Sequence, residues 1–237
     1  MLALIVGPGR GVLEVMHVLR DLLDAKPVDF HGEFMNITLD PPRLRPVRGG
    51  CPPFYFGGLS EAAHEVAAQA ADVFLMWPDT LSGVGTVLED MRARAARYGR
   101  KLRFGYRAHV IVRATETEAR AAAQRLVSRL DDRTGDTIRR RSLDTSSAGT
   151  QRQNELRGIA DDNGYAEPNL WTGIGRARSG AGAAIVGDPD QVLAKIRAYA
   201  DLGMDAFILA GYPHAAEADL FARHVLPRLD HAPLLPR

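Results

Sequence analysis

Short apolar runs alternate with longer stretches of helical period along most of the chain. Four of the apolar runs have the length and continuity of buried strands, and they lie at residues 54–58, 71–77, 102–112 and 205–211. The stretches between them repeat apolar residues at helical spacing, which predicts β–α alternation. Because strands connected through helices run parallel, the pattern predicts an α/β fold with a parallel sheet and helices outside it.

Helix-start and helix-stop signals bound several of these helices. Thr115 begins a capping-box match, and Asp188 is an N-cap residue followed by Pro189 in the first helical position. Gly203 stands where that second helix should end, because glycine adopts the left-handed conformation of a helix terminus without a steric penalty. Residues 131–164, by contrast, are polar and rich in Arg, Asp and Ser, and their length predicts an insertion or a lid.

The apolar run at residues 102–112 carries two polar side chains, Arg107 and His109. Alternate residues of a strand point to opposite faces, so these two side chains share one face. An arginine is seldom fully buried without a partner. The strand therefore either meets solvent on that face or lines a site that binds an anion.

Several candidate residues lie at the carboxyl ends of predicted strands or shortly after them. Ligands of parallel α/β folds bind beyond the carboxyl ends of the strands, so these residues are candidates for a site. They are Gly57, Gly58, Ser60, Trp77 and Tyr212. The glycine–serine turn precedes a predicted helix whose N–H groups can bind phosphate, although an ordinary βα turn has the same sequence.

A glycine-rich segment at residues 173–182 carries Arg178. Glycines give a segment mobility and arginine binds anions, so this composition is typical of a loop that closes over a charged ligand. A solvated surface loop has the same composition. The segment alone leaves both interpretations open.

Composition and charge indicate which kinds of molecule the protein binds and where it is located. Thirty basic and twenty-nine acidic residues give a net charge of +1, which argues against nucleic acid or an anionic membrane as partner. Cys51 is the one cysteine, and the apolar start at residues 2–6 is too short to span a membrane, so we expect a cytoplasmic protein. The sequence shows no acidic pair, Ser–His–Asp spacing or metal-ligand cluster. An anionic substrate and a borrowed cofactor fit this inventory better than hydrolysis does.

Four stretches of the chain match a known family in order. They are PPFYFGGLSEAAHEVAAQAADVFLMW, GRKLRFGYRAHVIVRATETEA, PNLWTGIGRARSGAGAAIVGDPDQV and DAFILAGYPHAAEA. From about Phe30 to Asp230 the chain resembles the bacterial alkanesulfonate monooxygenases, which are reduced-FMN-dependent members of the luciferase-like superfamily of TIM barrels. The resemblance implies a two-component system, in which a separate NAD(P)H-dependent flavin reductase supplies reduced FMN. With O₂, the enzyme then cleaves the C–S bond of an alkanesulfonate to give an aldehyde and sulfite.

The resemblance also implies roles for individual residues. The family's active-site residues match Arg107, His109, Trp77 and Tyr212, and the arginine of its mobile loop matches Arg178. The turn at residues 57–60 resembles the part of the superfamily that meets the flavin phosphate, although Leu59 stands where the family usually has serine. Trp77, Gly57, Gly58 and Ser60 are therefore expected to contact the cofactor, and no metal site is expected.

The matched stretches correspond to part of a barrel only. They resemble strands five to eight, in a single domain over residues 1–237 whose residues 131–182 form an insertion and mobile loop before the last strand. Strands one to four, with an active-site histidine and cysteine, are missing, and Cys51 does not match that cysteine. Half a barrel leaves sheet edges and an apolar face uncovered, so we expect the chain to form a homo-oligomer, to aggregate or to need the missing half. The alternatives are a non-catalytic remnant that binds flavin or a partner, or another luciferase-like flavin or deazaflavin oxidoreductase.

Overall fold

The computed structural model describes residues 9–41, 43, 46, 50–131, 137, 147–177 and 182–233. This part of the chain forms two compact units. Within the described residues, the first unit comprises 9–74 and 90–103, and the second comprises 75–89 and 104–233. None of the helices in the described ranges is long and apolar enough to cross a membrane.

Helices and strands alternate through most of the described chain. The helices are α1 (Arg10–Leu23), α2 (Glu61–Ala70), α3 (Leu81–Arg97), α4 (Glu116–Val127), α5 (Ala148–Gly158), α6 (Ile174–Ala177), α7 (Pro189–Leu202) and α8 (His214–His224). The strands are β1 (Val28–His31), β2 (Asn36–Leu39), β3 (Tyr55–Phe56), β4 (Val73–Met76), β5 (Arg103–Val112), β6 (Tyr165–Glu167), β7 (Leu170–Trp171), β8 (Ala184–Gly187) and β9 (Ala206–Ala210). A 3₁₀ turn, Leu226–Arg228, follows α8.

The first unit contains a short hairpin and a parallel strand pair. Strands β1 and β2 pair antiparallel, whereas β3 pairs parallel with β4, with Tyr55 opposite Val73. Helix α1 packs on α2. The carboxylate of Asp72 accepts hydrogen bonds from the Arg20 guanidinium at 2.8 Å and from the Phe54 N–H at 2.7 Å. That one side chain therefore links α1 to the segment that leads into β3.

In the second unit, β8 and β9 both pair with β5. Strand β9 runs parallel to its first half, from Gly105 opposite Ala206 to His109 opposite Ala210. Strand β8 runs parallel to its second half, from His109 to Val112. The third and fourth strands predicted from the sequence, β5 and β9, are therefore parallel neighbours.

The predicted insertion contributes to the core of the second unit. Of this region the structure describes residues 147–177 and the approach to β8, which contain α5, α6 and an antiparallel β6–β7–β8 arrangement. Leu156, Leu170 and Ala183 form a cluster in which each residue has no exposed surface. The described part of the insertion thus contributes buried side chains to the core of this unit.

Several local predictions from the sequence are confirmed. Thr115 caps α4 in a complete capping box. Asp188 caps α7 in the same way, and Pro189 is the first residue of that helix. Gly203 ends α7 in the left-handed conformation at φ 110°. Each parallel strand is shorter than its apolar run, because the ends of the runs continue into turns. The α/β class and the β–α alternation are confirmed.

Candidate functional site

Strand β5 exposes one of its ten residues, Arg107. The other nine are buried, including His109, which is 6% exposed. Arg107 lies opposite Ile208 of β9, and Ile208 is 43% exposed. An exposed arginine is unusual on β5, because parallel strands with neighbours on both sides normally bury both faces. The guanidinium is therefore available to an anionic ligand.

A row of three rings lies at the carboxyl ends of β5 and β9. His109 stacks on Tyr212 with 5.2 Å between ring centroids and an interplanar angle of 24°. Tyr212 in turn contacts the His214 ring, with 4.7 Å between the two ring centroids. The register explains the first contact, because His109 lies opposite Ala210 and Tyr212 follows two residues later. Sequence reasoning singled out His109 and Tyr212 and missed His214, which is the first residue of α8.

A buried ion pair holds α8 beside the end of β5. The carboxylate of Glu217 accepts hydrogen bonds from Arg113 at 2.6 and 3.0 Å, and the Glu217 side chain is 4% exposed. These hydrogen bonds raise the pKa of the Arg113 guanidinium above its ordinary value. A bidentate pair of this kind fixes orientation as well as distance. It therefore sets the start of α8, where Tyr212 and His214 are placed.

The glycine between β9 and Tyr212 is expected to tolerate no side chain. A Cβ on Gly211 would lie 2.3 Å from the Cβ of Glu217 and 3.1 Å from the carbonyl oxygen of Val110. We expect Gly211→Ala to lower the free energy of unfolding by about 1–3 kcal/mol through overpacking. Urea unfolding measures this change. Gly85→Ala is the matched control, because nothing lies within 4 Å of that position in α3 and alanine favours a helix; equal stability of the two variants would contradict the prediction.

The tryptophan that follows β4 lies against the insertion. A Cβ on Gly149 of α5 would be 3.7 Å from the six-membered ring of Trp77, so the helix backbone runs beside the indole. The next residue, Pro78, has a carbonyl oxygen that accepts a hydrogen bond from the Gln153 side chain at 2.8 Å. The carboxylate of Asp79, 6% exposed as a residue, is bound by Arg152 at 2.6 and 2.9 Å.

A cluster of buried tyrosine and charged side chains lies beside the turn at residues 78–81. The carbonyl oxygen of Asp79 accepts a hydrogen bond from the Tyr199 hydroxyl at 2.7 Å, and Tyr199 stacks on Tyr106 at 4.3 Å. The Glu167 carboxylate accepts from the Leu81 N–H at 3.1 Å and from the Lys195 ammonium at 2.6 Å. Burial raises the pKa of both tyrosines, so they stay neutral donors. Sequence reasoning missed these residues.

The predicted phosphate turn lies in the first unit. A Cβ on Gly58 would lie 2.7 Å from that of Ala63, so the turn approaches α2 too closely for any other residue. Ser60 is the N-cap, and its hydroxyl accepts a hydrogen bond from the Ala63 N–H at 3.2 Å. Glu61 at the helix start is paired with Arg94, and that hydrogen bonding lowers the pKa of the Glu61 carboxyl. Arg94 thus offsets an acidic charge beside N–H groups that could bind phosphate.

The structure therefore brings some predicted site residues together. His109 and Tyr212 are in contact, and Arg107 is exposed on the same strand as His109. Trp77 lies in the same unit, directly after β4. The turn at residues 57–60 belongs to the first unit. Arg178 lies outside the described residues, and within the described ranges no group of three or more His, Cys, Asp or Glu side chains could hold a metal ion.

A sequence profile decides which family these elements represent. The profile described as luciferase-like monooxygenase matches residues 7–206 of the chain. The chain belongs to the luciferase-like monooxygenase family. The luciferase-like part of the sequence resemblance is thereby confirmed, and so is the predicted partial TIM barrel.

Two curated proteins are similar to this family member over most of its length. It is 63% identical over 221 residues to the sulfoquinovose monooxygenase of Novosphingobium aromaticivorans, covering 93% of this chain and 61% of that protein. It is 47% identical over 219 residues to the sulfoquinovose monooxygenase of Agrobacterium fabrum, covering 91% of this chain and 57% of that protein. The chain thus spans about three-fifths of the length of these relatives.

Solved structures share the luciferase-like fold at lower identity. DmoA from Hyphomicrobium sulfonivorans is 18% identical with a TM-score of 0.65, covering 86% of this chain and 46% of its own. The coenzyme F420-dependent tetrahydromethanopterin reductase of Methanopyrus kandleri is 22% identical with a TM-score of 0.61, and the match covers 95% of this chain and 65% of that one. The oxygenating constituent of 3,6-diketocamphane monooxygenase of Pseudomonas putida, solved in complex with FMN, is 16% identical with a TM-score of 0.58, covering 92% and 62%. At these identities the likeness concerns the fold.

Proposed function

We propose that this protein is a reduced-FMN-dependent monooxygenase that cleaves the carbon–sulfur bond of a sulfonate. The observation that carries the proposal is the exposed Arg107 beside the buried His109–Tyr212 stack, in a chain 63% identical to a sulfoquinovose monooxygenase. Arginine is the side chain best suited to a sulfonate, because its planar guanidinium donates two parallel hydrogen bonds to two oxygens of one anion. Arg107 would bind the substrate through its sulfonate.

The stacked rings would act next to the bound sulfonate. The Tyr212 hydroxyl can donate a hydrogen bond to an oxygen that gains charge as the carbon–sulfur bond breaks. The His109 imidazole can accept or donate a proton at a ring nitrogen, and its burial and its stack on Tyr212 restrict the ring to one orientation. Trp77 would form an apolar wall of the site, and Arg178 would add a second cation to it.

FMN is the cofactor that we propose, and the chain has a suitable place for its phosphate. Gly58 lies close to α2, and the first N–H groups of that helix would face the phosphate. Arg94 pairs with Glu61 at the helix start and would reduce the repulsion between that carboxylate and the phosphate. Gly57, Gly58 and Ser60 would hold the phosphate. When bound, reduced FMN supplies the electrons that activate O₂.

The overall reaction requires partners that this chain does not provide. A sulfonate, O₂ and reduced FMN would give an aldehyde, sulfite, water and oxidised FMN, so that two electrons come from the flavin and two from the carbon–sulfur bond. Reduced FMN would come from a separate NAD(P)H-dependent flavin reductase. A homo-oligomer and a cytoplasmic location stay predictions.

The identity of the sulfonate is the finer part of the proposal. The sequence resemblance implies an alkanesulfonate, whereas both curated relatives are named for sulfoquinovose, which is a glucose derivative with a terminal sulfonate. We infer that sulfoquinovose is the preferred substrate. The same arginine would bind the sulfonate group of either compound.

Sulfite release tests the proposal. The chain, FMN, a flavin reductase and NADPH would be incubated in air with sulfoquinovose or with one of several alkanesulfonates. We expect sulfite and an aldehyde in equal amounts, with the highest rate for sulfoquinovose. A higher rate with an alkanesulfonate would overturn the substrate inference alone. FMN binding without sulfite from any sulfonate would instead favour a non-catalytic flavin-binding protein.

A further inference from the structure

The four-residue turn that follows Trp77 is held at every residue except Thr80 by side chains distant in sequence. The carbonyl oxygens of Pro78 and Asp79 accept from Gln153 and Tyr199, and the N–H of Leu81 donates to Glu167. The partner side chains lie 75, 120 and 86 residues away along the chain. Such a turn is fixed by the insertion and by α7 rather than by its own sequence.

The turn also carries an ion pair, between Asp79 and Arg152. Two nitrogens of the guanidinium bind the two oxygens of the carboxylate, and the Asp79 side chain is 8% exposed. The same carboxylate accepts from the Thr80 N–H at 2.7 Å. A two-point charged contact of this kind fixes both the distance and the angle between α5 and the turn. Hydrogen bonding to Asp79 raises the pKa of the Arg152 guanidinium above its ordinary value.

The ion pair lies close to the residues that contact Trp77 and Pro78. Gly149 is three residues before Arg152 on α5, and its backbone runs beside the indole. On the other side, a Cβ on Gly182 would be 2.8 Å from Pro78 and 3.3 Å from the Gln153 amide oxygen. Trp77 also precedes a proline, which limits its own backbone to extended conformations. The indole position therefore depends on where α5 is held.

We propose that Asp79 and Arg152 are positioning residues that hold α5 against the turn and thereby fix the indole of Trp77. The inference rests on the proposed function, because Trp77 has a role in the site only there. Neither residue is assigned contact with the substrate or the cofactor. Their effect on the reaction would pass entirely through the position of Trp77.

Local exchange and fluorescence test the pair without any requirement for activity. In Arg152→Gln we expect backbone amides of residues 80–84 to exchange with solvent at least about tenfold faster, because the buried carboxylate has lost its charged partner. Acrylamide quenching would report mainly on Trp77, since Trp171 is 1% exposed, and should increase. The FMN dissociation constant, read from flavin fluorescence at a temperature where the variant is fully folded, should rise. The thermal midpoint should fall as well, because the Asp79 carboxylate stays buried without its charged partner.

Two variants and one control separate positioning from general damage. Arg152→Lys keeps the charge and should restore most of the amide protection, and Asp79→Asn should reproduce the Arg152→Gln result. Arg223→Gln removes an exposed pair with Asp219 on α8 and should change none of the readouts. Unchanged exchange and quenching in both Arg152→Gln and Asp79→Asn would overturn the positioning role. Absence of sulfite release from the unmodified chain, with exchange altered as expected, would overturn the proposed function and leave the positioning role standing.

Discussion

Replacing Arg107 with alanine is expected to lower the rate of sulfite release by about 100-fold or more, since one charged donor to the reacting group is lost. Arg107 is the one exposed residue of β5, so the free energy of unfolding should change by no more than about 0.5 kcal/mol. Steady-state sulfite assays and urea unfolding of the same protein preparation measure the two effects. A large loss of rate with little loss of stability is the signature of a binding residue.

Arg107→Lys is the matched variant for this prediction. Lysine keeps the positive charge but cannot form two parallel hydrogen bonds to one sulfonate. The rate of sulfite release by this variant should therefore lie between those of Arg107→Ala and the unmodified chain. Sulfite release at the unmodified rate in Arg107→Ala would remove the residue from the site. Loss of rate accompanied by an equal loss of folded protein would assign it a structural role instead.

The buried pair of Glu167 and Lys195 is expected to be costly to break. The Glu167 side chain is 18% exposed and that of Lys195 is 8% exposed, and 2.6 Å separates Lys195 Nζ from Glu167 Oε1. Glu167→Gln leaves the ammonium of Lys195 buried without a counter-charge and weakens the bonds to Leu81 and Tyr199. We expect the free energy of unfolding to fall by about 3–5 kcal/mol, measured as a lower urea midpoint with an unchanged slope.

Removing both charges together provides the test of that explanation. The double variant Glu167→Met with Lys195→Met should recover most of the lost stability, because apolar side chains of similar volume often replace a buried ion pair without cost. Asp219→Asn is the exposed control and should cost about 0.5 kcal/mol or less, since its side chain is 53% exposed. A double variant no more stable than Glu167→Gln would show that packing, not charge, determines the loss.

Much of the fold could be predicted because its signals are local. The capping boxes at Thr115 and Asp188 each involve residues three positions apart, and the strands were visible as apolar runs. The contact of His109 with Tyr212 was predictable for a related reason. His109 lies on the same face of β5 as Arg107, and Tyr212 lies just beyond the carboxyl end of β9. Because β5 and β9 are parallel neighbours, with His109 opposite Ala210, the two rings come into contact.

The polar contacts of the second unit could not be predicted from sequence patterns. Asp79 and Arg152 lie 73 residues apart, and neither stands in a motif that marks a partner. In the sequence Arg152 is one of several arginines in a polar stretch, which is typical of a solvated surface. Only the folding of the insertion onto the turn after β4 brings the two charges together, so tertiary packing, not local preference, decides this part of the site.

A single-turnover experiment tests the central claim most directly, because it removes the flavin reductase from the reaction. The chain would be mixed anaerobically with chemically reduced FMN and sulfoquinovose, then with oxygenated buffer, and the sulfite formed would be counted per flavin oxidised. We expect close to one sulfite for each flavin, and almost none when Arg107→Ala replaces the unmodified chain. Complete oxidation of the flavin with hydrogen peroxide as product and no sulfite would contradict it.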